Sequence, residues 1–137
     1  MDCIFCKIVS GSVPSHKIFE NNEYLAFLDI ANFVTGHTLV IPKKHISNIW
    51  EIREIGEYFK VIQMIGKHYI NNLGFKFVDT LSFGRLVLHA HVHILPHNGD
   101  NKEYSQALAN IYKLQTDMSR RLTIKQGDQS ALKFKIT

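Results

Sequence analysis

Little in this chain holds it together covalently. Its 137 residues contain only two cysteines, spaced Cys3-x-x-Cys6, which argues against a disulfide framework and leaves stability to a hydrophobic core. Three prolines and eight glycines are too few for a collagenous or linker-like chain, and no repeat or low-complexity segment occurs. No apolar run approaches the roughly 20 residues of a membrane-spanning helix. The opening Met1-Asp-Cys-Ile-Phe-Cys6 lacks the basic-then-apolar pattern of a secretory leader. The expectation is one domain over 1–137, soluble and cytoplasmic, with no membrane partner. An apolar fraction of 45% and a charged fraction of 20% suit such a domain. The net charge of +4 is partly gathered near the end of the chain, in Arg120, Arg121, Lys125, Lys133 and Lys135. A solvated basic tail accounts for it. A polyanion-binding role is the sharper alternative, but no interleaved aromatic and basic motif supports nucleic acid as the partner.

Punctuation by turn residues divides the chain. A short helix is expected over 3–10, ended by Gly11 and Pro14. Two short strands, 17–19 and 24–28, flank Asn21-Asn22. Gly36 opens a strand over 37–41 that Pro42 closes. Ser47 is read as the N-cap of a long helix with Ile49, Ile52, Ile55, Phe59, Ile62, Ile65 and Tyr69 on one stripe, ended by Asn71, Asn72 and Gly74. A strand over 75–79 and a further one over 86–94 follow. A second amphipathic helix carries Tyr104, Leu108, Ile111, Leu114, Met118 and Leu122. This order predicts an α+β fold: an antiparallel sheet with one face covered by helices and the other open.

The run Leu86-Val-Leu-His89-Ala-His91-Val-His93-Ile94 is the most informative stretch. Period-two alternation reads as a strand with three imidazoles on one face and Leu86, Leu88, Ala90, Val92 and Ile94 on an apolar face. Neighbouring rings in such a strand sit ~6.8 Å apart and the outer pair ~13 Å, so one metal ion cannot take all three, though two neighbours could share one. Packing three imidazoles in a core would need a partner for every ring nitrogen. The remaining reading is a nucleophile or general base flanked by rings that bind an anionic substrate.

The segment Gly84-Arg-Leu-Val-Leu-His89-Ala-His91-Val-His93-Ile-Leu95 resembles the signature of the histidine triad (HIT) family, His-φ-His-φ-His-φ-φ with φ apolar. So do Gly36-His37-Thr-Leu-Val-Ile-Pro-Lys-Lys-His45-Ile46, Ile4-Phe-Cys-Lys-Ile-Val9 and Ala26-Phe-Leu-Asp-Ile30. The likeness covers residues 3 to about 96 in order and is closest to the Hint branch, nucleoside phosphoramidate and dinucleotide hydrolases; the rest, about 104–137, is helix and basic tail. The resemblance implies a HIT-like fold in which His91 attacks the α-phosphorus of a nucleotide and forms a nucleotidyl-histidine. His93 would contact phosphate and protonate the leaving group, and His37 would orient the cluster. Asp29 would accept hydrogen bonds from the ribose hydroxyls, with Phe5, Ile8, Phe27, Ile30 and Leu39 around the base. Taken alone, these are ordinary core or turn residues.

Cys3-x-x-Cys6 admits three readings: a redox pair (without the surrounding βαβ pattern), two inert thiols, or half of a tetrahedral zinc site. Bacterial members of the family carry such a site, and its ligand pattern matches Cys3, Cys6, His45 and His89. The resemblance also implies a homodimer through the long helix. One departure stands out. Where the family has Asn-x-Gly and then Gly-Gln-Ser/Thr, this chain has Val78-Asp-Thr-Leu-Ser-Phe-Gly-Arg85-Leu86. Arg85 replaces a Gln that donates to phosphate, and could serve by a bidentate contact; Leu86 has no donor. Ser82 or Thr80 would be partial substitutes. A binding module with impaired chemistry is therefore the alternative to an enzyme.

Overall fold

The computed structural model describes residues 2–136. Its secondary structure runs α1 (Ile4–Ser10), β1 (Lys17–Glu20), β2 (Tyr24–Leu28), β3 (Thr38–Pro42), α2 (Ile55–Asn71), β4 (Phe77–Leu81), β5 (Val92–His97), α3 (Lys102–Thr116) and α4 (Ile124–Phe134), with short 3-10 turns at Ile49–Glu51 and Met118–Arg120. It divides into two compact units, Met1–Lys102 and Glu103–Thr137.

In the first unit the strands form one antiparallel sheet in the order β1-β2-β3-β5-β4. Alternation along β2 and β3 separates two cores. Tyr24, Ala26 and Val40 turn to the side covered by α2, where they meet Tyr58, Val61, Ile62, Ile65 and Tyr69, together with Ala90, Val92 and Ile94. Leu25, Phe27, Leu39 and Ile41 turn the other way, onto Cys3, Phe5 and Ile8 of the α1 segment. The expected α+β sheet covered on one face by a long helix is what forms. The opposite face is left to short α1 and the loop that carries the histidines.

Several boundaries differ from those expected, each for a local reason. The long helix does not begin at Ser47. The Asn48 side chain caps a 3-10 turn by accepting from Trp50 N at 3.0 Å, Ile52 is extended, and α2 starts at Ile55. The inward stripe is accordingly Tyr58, Val61, Ile62, Ile65 and Tyr69, while Ile55 and Phe59 are exposed. Gly36 (φ 86) holds the turn into β3, which spans Thr38–Pro42, and β4 lies two residues later than expected, at Phe77–Leu81.

The largest correction concerns the histidine run. Only Val92 onward is strand; residues 82–91 form a loop that contains Gly84 (φ 66). The Ala90 amide donates to the Ile46 carbonyl at 2.6 Å rather than to a neighbouring strand. Leu86 and Leu88, expected in the core, are 100% and 65% exposed.

In the second unit the stripe from Tyr104 to Leu122 does not make one helix. Asp117 accepts from Ser119 N and starts a 3-10 turn. Thr123 and Gln126 then form a reciprocal capping box that opens α4. Among the described residues, no helix is long and apolar enough to cross a membrane.

Candidate active site

The ends of β2, β3 and β5 bring four ionisable side chains together. The Asp29 amide donates to the His37 carbonyl at 2.9 Å, which closes the β2–β3 ladder and sets the carboxylate beside the imidazole, Oδ2 3.6 Å from Nε2. His93 pairs in register with Leu39 on one side and Leu81 on the other. This places its Nδ1 2.8 Å from His37 Nε2. His91, one step before β5, stacks edge-on to His93 with ring centroids 5.2 Å apart and edge-on to Phe5 at 5.3 Å.

Hydrogen bonds assign the protons on these rings. His91 Nδ1 lies 2.7 Å from the His89 carbonyl, which can only accept, so Nδ1 carries a hydrogen and, in the neutral ring, Nε2 is the nitrogen with the bare lone pair. The Phe33 amide donates to His37 Nδ1 at 3.1 Å, so neutral His37 holds its hydrogen on Nε2 and donates it to His93 Nδ1. His93 therefore carries its own hydrogen on Nε2. Burial lowers the pKa of both rings: that of His37 against the pull of Asp29, and that of His93 down to about 4, with His37 and His91 adding to the effect. A cavity of about 290 Å³ opens onto the group, lined by Phe5, Asp29, Phe33, Leu39, His91, His93 and the loop residues Phe83 to Val87. It can receive an anionic group against a bare nucleophilic nitrogen and an N–H donor.

Residues 10–100 match the family model described as HIT domain. The chain belongs to the HIT domain family. It is 40% identical over 111 residues to the Bacillus subtilis protein named Protein hit, covering 72% of each chain. Over 116 residues it is 38% identical to the Schizosaccharomyces pombe adenosine 5′-monophosphoramidase hnt1, covering 76% of this chain and 79% of the yeast protein. The crystal structure of a Zn-bound histidine triad family protein from Mycobacterium smegmatis superposes with a TM-score of 0.66 at 32% identity, covering 74% of this chain and 79% of that one.

The HIT site gathers most of the residues singled out in the sequence. His37, His91, His93, Asp29, Phe5, Leu39 and Arg85 share the cavity or its edge. Ile8 and Phe27 do not line it; they are buried in the core behind Phe5, and Phe27 meets the Phe5 ring edge-on at 5.7 Å. Ile30 is 86% exposed, because the chain bends away from the sheet after Asp29. Ser82 does not offer a donor to the cavity, since its hydroxyl donates to the His91 carbonyl at 2.7 Å. Thr80 is exposed on β4. Sequence reasoning missed Phe33, whose ring lies parallel to His93 (6.2 Å, 11°) and 4.7 Å from His37, and Phe83, whose ring lies 5.9 Å from the Arg85 guanidinium. A lone phenylalanine amid Ala31-Asn32 and Thr35-Gly36 was the available signal for the first.

His89 leaves the triad for a second cluster. Its Nε2–H donates to the Pro42 carbonyl at 2.7 Å, which bares Nδ1. That nitrogen lies 3.4 Å from Cys3 Sγ and 3.5 Å from Cys6 Sγ, and His45 Nδ1 lies 3.3 Å from Cys6 Sγ. In a tetrahedral zinc site with bonds of about 2.3 Å to sulfur and 2.0 Å to nitrogen, such donors stand ~3.5 Å apart. All four atoms lie within 4.8 Å of one another, with Cys3 capping α1 and Cys6 in its first turn. Burial and the neighbouring Cys3 raise the Cys6 thiol pKa, a cost that a coordinated cation would remove. The donor set fits zinc. The other close group, Asp29, His37 and His93, does not fit a metal. A metal on His37 Nε2 would move its hydrogen to Nδ1, straight against the Phe33 N–H.

Proposed function

We propose that this HIT protein is a nucleotide hydrolase or transferase that cleaves a phosphoramidate or phosphoanhydride at the α-phosphate of a purine nucleotide, through a nucleotidyl-histidine on His91. The observation that carries the reading is the bond from His91 Nδ1 to the His89 carbonyl, which leaves Nε2 unprotonated against the cavity. A neutral imidazole with its second nitrogen already donating is a competent nucleophile, and the carbonyl stabilises the positive charge that builds as it attacks. The His93 N–H contacts the phosphate, and His37 keeps it oriented. Asp29 accepts from the ribose hydroxyls, and Phe5 and Leu39 meet the base. Similarity to the yeast phosphoramidase supports the reaction class.

Cys3, Cys6, His45 and His89 hold a structural zinc in this reading. With four protein donors no position is open to substrate, so the ion ties α1 to the histidine loop rather than taking part in chemistry. In the same reading the protein is a homodimer through α2; the exposed side chains Ile55, Phe59 and Ile70 beside its buried face support this.

Incubation with adenine nucleotides bearing either leaving group tests the proposal. The protein should release AMP and yield a nucleotidyl adduct that peptide mapping locates on His91. His91→Ala should lower turnover by about 10³-fold or more. Unchanged turnover in that variant removes the reading. Tight AMP binding with no turnover identifies the alternative, a nucleotide-binding module.

A further inference from the structure

Resting on the zinc reading above, we propose that Cys3 and Cys6 are also an oxidation site: a peroxide converts them to a disulfide, which expels the ion and loosens the support of His91. Three observations carry this. The first is access. A second cavity, of about 670 Å³, has Cys3, His45, Ser47 and Leu88 in its wall, and shares only Leu86 and Val87 with the cavity that holds His91. A small uncharged oxidant entering it arrives beside the cysteine cluster without passing the histidines. The second is proximity. Both cysteines are free, their sulfurs lie within 4.8 Å of each other, and the Cys6 amide donates to Cys3 Sγ at 3.4 Å. Oxidation of one sulfur therefore places an electrophile within reach of the other. The third is coupling. Phe5, between the two cysteines, meets the His89 ring edge-on at 5.8 Å and the His91 ring at 5.3 Å. His89 turns its ring to the sulfurs while its carbonyl accepts the His91 Nδ1–H. A change at the sulfurs thus reaches the His91 ring by two routes.

Zinc, when bound, keeps both sulfurs deprotonated, the form that attacks peroxide. Cys3, which the cavity reaches, forms an S–O bond as the peroxide O–O bond breaks, giving a sulfenic acid and hydroxide. Cys6 then forms the S–S bond and expels the second hydroxide. Two protons from solvent turn both hydroxides into water. The two sulfurs lose two electrons, the peroxide gains them, and zinc leaves in its original oxidation state. A disulfide holds its sulfurs about 2.0 Å apart, so they close in from the spacing that suits the ion and give up His45 and His89. The α1 segment, with Phe5, is then tied to the histidine loop by packing alone.

The test treats zinc-loaded protein with hydrogen peroxide and follows free thiols, zinc captured by a chromogenic chelator, and AMP release from adenosine 5′-phosphoramidate. Both thiols and one equivalent of zinc should be lost in step, and peptide mapping should find Cys3 joined to Cys6 within one chain. Turnover should fall by at least about 10-fold, and dithiothreitol with zinc should restore it. Cys6→Ser should stop at a Cys3 sulfenic acid that dimedone traps. Ser47→Trp, which fills the cavity and leaves all four zinc donors in place, should keep zinc and turnover while thiol loss slows several-fold. Oxidation of Ser47→Trp at the unmodified rate overturns the assigned route. Thiols and zinc that both survive millimolar peroxide overturn the inference, as does full turnover in the disulfide form. Turnover lost with both thiols intact assigns the damage elsewhere and overturns it too. Reduced protein that carries no zinc overturns the zinc reading instead. The thiol and zinc signals do not depend on turnover, so they decide the oxidation whatever the nucleophile.

Discussion

Gly36→Ala should cost both stability and activity, and the structure separates two contributions to the loss. Gly36 has φ 86, a conformation that costs an alanine about 1–2 kcal/mol. A Cβ there would also stand 3.1 Å from Pro96 Cγ, and Pro96 is fully buried on β5, so the contact cannot be relieved by moving into solvent. Overpacking of this kind adds about 1–3 kcal/mol. Gly11→Ala is the control. It has φ 83 but nothing within 4 Å of the new Cβ, so only the backbone cost of about 1–2 kcal/mol applies. Urea denaturation of the two variants should therefore differ by about 1–3 kcal/mol at equal m-values, with Gly36→Ala the weaker. The same push moves His37 away from β5 and lengthens its 2.8 Å bond to His93. Turnover should fall by at least about 10-fold, against almost no change in the control. Equal losses of stability in both variants, or full activity in Gly36→Ala, would refute the reasoning.

Removing metal gives a second expectation: protein purified without added zinc should hold one equivalent by elemental analysis, and chelation should lower its melting temperature. A melting temperature that ignores both chelator and Cys6→Ser would remove the structural role. Acid stability is a third. His37 and His93 have pKa values depressed in the fold, so above pH 6.5 both states are neutral and stability is complete. As pH falls from about 6.5 toward 4, the unfolded chain takes up protons first and stability is lost. For His93 the loss reaches at most about 3 kcal/mol. Denaturation of His93→Asn across this window should show a flatter dependence; an unchanged slope would place the acid sensitivity elsewhere.

The sheet, its antiparallel strands and the helix over one face were legible because each rests on a local pattern: short, mostly apolar runs bounded by turn residues in Tyr24–Leu28 and Thr38–Pro42, the 3.6-residue stripe of α2, and the turns at Gly11 and Gly36. Helix starts were read less well. Asn48 and Thr123 are capping residues whose choice of turn depends on which backbone amides lie in reach, and Ser47 competed on equal terms in the sequence.

The histidines divide along the same line. Spacing alone showed only that three alternate imidazoles cannot share one ion; it was the resemblance to the family signature that set His89 apart from His91 and His93 and connected Cys3-x-x-Cys6 with His45. Tertiary structure decided what each ring can do, because a neutral imidazole is a nucleophile, a donor or a ligand according to which nitrogen holds the hydrogen. That choice is made by groups distant in sequence: the Pro42 carbonyl for His89 and the Phe33 amide, acting through His37, for His93. The alternation that first marked Leu86 to Ile94 is real only beyond His91. Before it the chain leaves the sheet: the Ala90 amide bonds the Ile46 carbonyl and the His89 ring turns to Cys3 and Cys6.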